Sequence, residues 1–117
     1  MIDCHHYQKG NCRSCQWLEM PYAQQLAKKE EHLKQQLAKL DCDDLIWHPP
    51  FYSSESAFRN KAKMVISGAV ERPILGIFQD PNDPQSAVDL CDCSLYPQRF
   101  AELFPILKDF IGRAGLV

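Results

Sequence analysis

Three of the chain's six cysteines crowd into its N-terminal segment as Cys4-x7-Cys12-x2-Cys15, and two more stand far downstream as Cys91-x-Cys93. A fold that unites these sulfurs must lay the N-terminus against a segment near the opposite end of the chain. Disulfide frameworks belong to exported proteins, and the opening residues MIDCHHYQKG contain no apolar signal core. The expectation is a cytoplasmic chain whose cysteines hold a metal ion or a cluster. A C-x2-C pair points two thiolates from one tight turn at one centre, and Cys4 can fold back as a third ligand. The Cys91/Cys93 pair supplies the candidates for a fourth. Soft thiolates select zinc, copper(I) or an iron–sulfur cluster over hard cations. Zinc and a [4Fe–4S] cluster both accept four cysteines. Structural zinc sites usually carry two short C-x2-C knuckles, so the three-plus-one layout favours the cubane and leaves zinc as the alternative.

Cys42, between Asp41 and Asp43, reads instead as a small buried apolar residue. His5 and His6 read as solvated loop residues, because vicinal side chains seldom converge on one ion.

Thirteen Lys and Arg against fifteen Asp and Glu give a net charge of −2. Such a chain is no general polyanion binder, so any contact with nucleic acid must come from a local patch. Hydrophobic residues at 45% and charged residues at 24% exclude wholesale disorder. No apolar run approaches the roughly 20 residues that span a bilayer, so no membrane partner is expected.

Residues 1–20 have little periodicity and read as a loop. Residues 21–40 predict a helix: Ala, Leu, Lys, Glu and Gln dominate, with one narrow apolar stripe of Ala23, Leu26, Leu33, Leu37 and Leu40. Pro49-Pro50 and a serine cluster mark residues 41–57 as a connection, which Trp47, Phe51 and Tyr52 are expected to pin to the core. Residues 58–79 predict an antiparallel β-hairpin. Phe58, Ala62, Met64 and Ile66 share one face of its first strand; Arg59, Lys61, Lys63, Val65 and Ser67 share the other. Its second strand is Pro73–Gln79, and the turn near Val70-Glu71-Arg72 lacks an Asn-Gly signal to set the register. Residues 80–90 read as an acidic loop. Residues 98–114 carry the strongest helical pattern, with Phe100, Leu103, Phe104, Leu107, Phe110 and Ile111 on one face. Pro105 predicts a kink or a late start there, and Gly115 a C-terminal cap.

Arg59, Lys61 and Lys63 would lie about 7 Å apart along a strand, near the spacing of phosphates on an RNA strand. Solvation of a sheet surface is the plainer reading of the same row. Phe78, Tyr96 and Tyr52 are candidates for stacking on a base and are expected mainly in the core.

Three segments then point to a family. CRSCQW (Cys12–Trp17), FRNKAKMVISG (Phe58–Gly68) and DLCDCSLYP (Asp89–Pro97), in that order, resemble the bacterial RNA 5-methyluridine methyltransferases. The likeness continues to FIGRAGL at Phe110–Leu116. It implies that Cys4, Cys12, Cys15 and Cys93 hold a [4Fe–4S] cluster, although Ser94 stands where family members often have proline. It also implies large-subunit ribosomal RNA as partner, bound in part through Arg59, Lys61 and Lys63. S-adenosylmethionine would be bound by a C-terminal Rossmann-like methyltransferase domain outside this chain. No Gly-rich loop follows a strand here, so no catalytic residue is assigned and the stretch alone is expected to be inactive. The expected fold is α+β: a cysteine-rich cluster loop over 1–20, then a small RNA-recognition portion over 21–117, together part of a larger protein. A zinc-binding interaction module and an electron-transfer iron–sulfur protein are the competing readings.

Overall fold

The structure, a computed structural model, describes every residue except Asp41. The elements run α1 (His5–Gln8), α2 (Tyr22–Gln36), β1 (Val65–Ala69), β2 (Arg72–Phe78), β3 (Ala87–Asp89) and α3 (Gln98–Ala114), with 3-10 turns at Ala38–Leu40 and Pro84–Ser86. The class is α+β, and the chain forms part of a domain.

The expected hairpin is present as β1 and β2, joined through Val70-Glu71 with Ala69 opposite Arg72. β3 adds a third antiparallel strand, so the order is β1-β2-β3. It hides in the acidic stretch read as a loop. The Asp83 carboxylate accepts the Gln85 N–H at 2.9 Å, and the Gln79 N–H reaches the Ser86 carbonyl at 3.1 Å. These bonds turn the chain back onto β2. Gly76 allows the close approach: a Cβ there would lie 1.7 Å from the Val88 carbonyl oxygen.

α3 covers one face of the sheet. Leu75 of β2 meets Phe104 and Ile111, and Met64, Cys91, Tyr96 and Phe100 pack around them. Tyr96, Phe100 and Phe104 form an aromatic cluster with centroids 5.4–6.0 Å apart. Lys108 of α3 pairs with Asp89 of β3. The helix closes at Gly115 (φ 63°, ψ 37°), with N–H bonds from Gly115 to Gly112 and from Leu116 to Ile111, a Schellman motif. It starts at Gln98 and runs through Pro105, so the late start does not occur. Pro105 and Ala101, whose carbonyl loses its donor, both lie on the solvent side, where water can replace the missing bond.

Several expectations fail, most of them because the packed layer is thin. The first strand begins at Val65, not Phe58, because the N–H groups of Ala57 and Arg59 bond to the Ser94 and Leu95 carbonyls. Ile66 lies opposite Leu75, on the side that faces α3, yet is exposed at the sheet margin. Trp47, Phe51 and Tyr52 do not pin the connection to the core; Phe51 is 93% exposed. Leu103, Leu107 and Phe110 remain exposed on α3. α2 stops at Gln36 and buries no residue. The radius of gyration is 19.0 Å, against about 13 Å for a globular chain of this length.

Candidate metal centre

Each cysteine-bearing segment is shaped by local backbone bonds. Cys4 precedes α1, and its carbonyl accepts the Gln8 N–H at 3.0 Å. The His6 carbonyl accepts both the Asn11 N–H (2.8 Å) and the Cys12 N–H (3.2 Å), folding Cys12 back over α1. A turn from Cys15 to Leu18 follows. On the distant side, Cys93 donates its N–H to the Leu90 carbonyl at 3.2 Å, and its own carbonyl accepts the Tyr96 N–H at 3.1 Å.

These turns bring Cys4, Cys12, Cys15 and Cys93 into one electrostatic neighbourhood. Burial pushes the Cys15 thiol up, and the nearby sulfurs of Cys93, Cys12 and Cys4 push it further. The Cys93 thiol is likewise raised by burial and then by Cys4 and Cys12, while a hydrogen bond with the Leu95 backbone works against the rise. Arg59 acts in the opposite direction on both sulfurs. Neutral thiols held in a half-buried cluster ionise when a soft cation arrives, because the cation supplies the missing counter-charge.

Cys91 faces elsewhere. Its Sγ lies 3.9 Å from the Leu75 carbonyl, against the core. Burial and the adjacent Asp89 carboxylate push its thiol up to about 12. Cys42, expected to be buried, is exposed, because the segment that carries it does not reach the core.

Among the described residues, no three cysteines bring their sulfurs mutually within 4.8 Å.

One trio does meet that distance: His5, His6 and Asp92. His6 is not the solvated loop residue expected. It is 9% exposed, and its Nε2 lies 2.7 Å from Asp92 Oδ1. His5 stays exposed, with Nε2 3.3 Å from Asp92 Oδ2. Nothing in the sequence pairs residues so far apart.

The basic row divides. Arg59 sits beside the thiols. Lys61 and Lys63 are exposed and, among the described residues, make no ion pair. Beside the cysteines lies an open cleft of about 480 Å³, lined by Cys15, Trp17, Tyr22, Lys29, Phe58 and Arg59 among others. Of the three stacking candidates, Tyr96 belongs to the core and Phe78 is half-buried, but Tyr52 is exposed.

No family model and no solved structure matches the chain. It is 69% identical over 117 residues to the 23S rRNA (uracil(747)-C(5))-methyltransferase RlmC of Haemophilus influenzae (strain 86-028NP), covering 100% of this chain and 30% of that one. The protein of the same name from Mannheimia succiniciproducens is 63% identical over 114 residues, 97% of this chain and 29% of that one. The Actinobacillus pleuropneumoniae protein is 58% identical over 118 aligned residues, again all of this chain and 30% of the relative. The chain thus spans about 30% of the length of the curated relatives it matches, in their N-terminal part. By sequence the chain matches, along its whole length, the N-terminal part of these 23S rRNA (uracil(747)-C(5))-methyltransferases.

Proposed function

We propose that this stretch is the iron–sulfur, RNA-recognition part of a cytoplasmic, S-adenosylmethionine-dependent 23S rRNA uridine-C5 methyltransferase. Residues 1–20 act as a strap carrying Cys4, Cys12 and Cys15, and the 21–117 portion supplies Cys93 and the RNA-facing surface. The observation that carries the reading is the grouping of Cys4, Cys12, Cys15 and Cys93 with Arg59 near them, in a chain matched throughout by RlmC proteins. A bound [4Fe–4S] cluster would supply a structural cross-link between strap and body, since transfer of a methyl group to uridine C5 involves no net redox change.

Lys61 and Lys63 would hold phosphates of large-subunit ribosomal RNA by charge. The cleft, with Trp17, Tyr22 and Phe58 beside Lys29 and Arg59, suits an unstacked base of a single-stranded segment. Arg59 faces the thiols and would serve RNA and sulfur together. The methyl donor would bind in the remainder of the enzyme, and this stretch alone would transfer no methyl group.

The test is metal analysis of the intact protein purified without oxygen, together with crosslinking to 23S rRNA. About four irons per chain and crosslinks at Trp17, Phe58, Lys61 or Lys63 are expected. Stoichiometric zinc without iron after anaerobic reconstitution would favour a zinc-binding module. Reversible electron exchange without RNA crosslinks would favour an electron-transfer protein.

A further inference from the structure

We infer that His6 is the positioning residue that assembles the cysteine ligand set, by tying together the three segments that bring Cys4, Cys12 and Cys93 to the centre. The inference rests on the proposed ligand set and adds a residue to it.

Three interactions carry it. His6 lies in α1, immediately after the Cys4 turn, so its backbone moves with Cys4. Its carbonyl accepts the Cys12 N–H at 3.2 Å as well as that of Asn11, which fixes where the chain returns. Its ring reaches across 86 residues of sequence to Asp92, the neighbour of Cys93, at 2.7 Å. His6 is also the buried polar side chain of the chain's described residues, at 9% exposure. No residue of the strap belongs to the apolar core. The strap therefore has little apolar burial to hold it against the Cys93 segment, and the His6–Asp92 hydrogen bond spans that gap directly.

The ring's other nitrogen, Nδ1, is buried without a partner. A carboxylate oxygen only accepts, so Nε2 carries a proton and donates it to Asp92. His6 thus acts through Nε2 as a hydrogen-bond donor to a carboxylate. A side-chain amide can reproduce that role; an aliphatic side chain of similar size cannot.

The test uses His6→Leu, His6→Gln and Asp92→Ala in the intact protein, first with Co2+ alone and then with iron and sulfide. Asp92 is largely exposed, so its variant reports the clamp without disturbing the core. Four-thiolate cobalt has a distinct sulfur-to-metal charge-transfer spectrum. Residues that orient metal ligands change affinity by about 10- to 100-fold when removed. His6→Leu and Asp92→Ala are expected to weaken Co2+ binding by about that factor and to lose one thiolate from the spectrum. His6→Gln should restore both, which a residue needed only for packing would not do. Parent affinity and a four-thiolate spectrum in both His6→Leu and Asp92→Ala would overturn the inference. If the parent binds Co2+ through four thiolates but assembles no cluster, the iron–sulfur reading fails by itself. The cobalt comparison then still decides the role of His6.

Discussion

Cys91 and Cys93 are separated by one residue and have opposite fates in the structure, so changing each to serine separates packing from ligation. Cys91 presses against Leu75, with Sγ 3.9 Å from its carbonyl, and its thiol is pushed up to about 12 by burial and by Asp89. At pH 7 it is a neutral, weakly polar group. Cys91→Ser replaces it with a hydroxyl in a half-buried apolar setting, at a cost of about 1–2 kcal/mol. An unfolding entropy of about 2.1 cal/mol/K per residue makes that a loss of about 4–8 °C in Tm. Iron content should not change. Cys93 sits among Cys4, Cys12 and Cys15, and an alcohol at that position stays protonated where a thiol would ionise onto iron. Cys93→Ser should therefore lose most of its iron and its visible absorbance. The assay is iron content, absorbance and thermal melting of the two variants prepared side by side without oxygen. Full iron in Cys93→Ser together with iron loss in Cys91→Ser would reverse the assignment.

Lys61→Ala with Lys63→Ala should weaken RNA binding and reduce the slope of log affinity against log salt by about 0.7–0.9 for each phosphate no longer neutralised, read from a filter-binding salt series; an unchanged slope would remove both lysines from the RNA surface. Gly76→Ala forces a Cβ to 1.7 Å from the Val88 carbonyl oxygen, so β3 must separate from β2. Chemical denaturation should show a loss of about 3 kcal/mol or more, and a parent-like midpoint would mean that the strands are not so close. Burial alone would raise the Asp89 carboxyl, but hydrogen bonds with Lys108 and Cys91 outweigh it and hold it below the ordinary range. Its stabilising effect is then present above the unfolded carboxyl pKa of about 3.9 and is lost as pH falls through the lower folded value. Lys108→Met should cost about 1 kcal/mol at neutral pH, with a smaller difference from the parent in acid melts; an equal difference at both would sink the pairing.

What could be read in the sequence depended on whether the signal was local. The apolar period of α3 and the glycine that ends it are local, and both appear where the pattern placed them. β3 is three residues long, too short to alternate visibly inside an acidic, proline-bearing stretch. Residues 61–64 do alternate in exposure, which is why they read as strand. The N–H groups just before them go to Ser94 and Leu95, however, so the alternation occurs without a ladder to β2. Spacing suggested a four-cysteine set but did not choose between Cys91 and Cys93, whose side chains share a direction if the segment is extended. The structure replaces that extended segment with a turn: Cys91 donates its N–H to Asp89 Oδ1 and Cys93 donates its N–H to the Leu90 carbonyl. Those two bonds send the sulfurs apart, and neither is visible as a pattern.

The thinness of the core gives the cysteines and His6 a common meaning. Apolar burial in this chain centres on Leu75, Leu90, Phe104 and Ile111, all from the sheet, its exit and α3. The strap contributes His6 to the buried set and no aliphatic or aromatic side chain. A segment with so little apolar area to bury must be held by directional bonds, which add little net free energy singly but specify geometry. The His6–Asp92 hydrogen bond and the hydrogen bonds from Ala57 and Arg59 to the Cys93 segment are of that kind. On the proposed reading, ligation would supply the free energy that burial does not, and these bonds would supply the geometry that ligation needs. The same surface would then place Arg59, Lys61 and Lys63 where RNA can reach them, so holding the strap and presenting the basic row become one structural task.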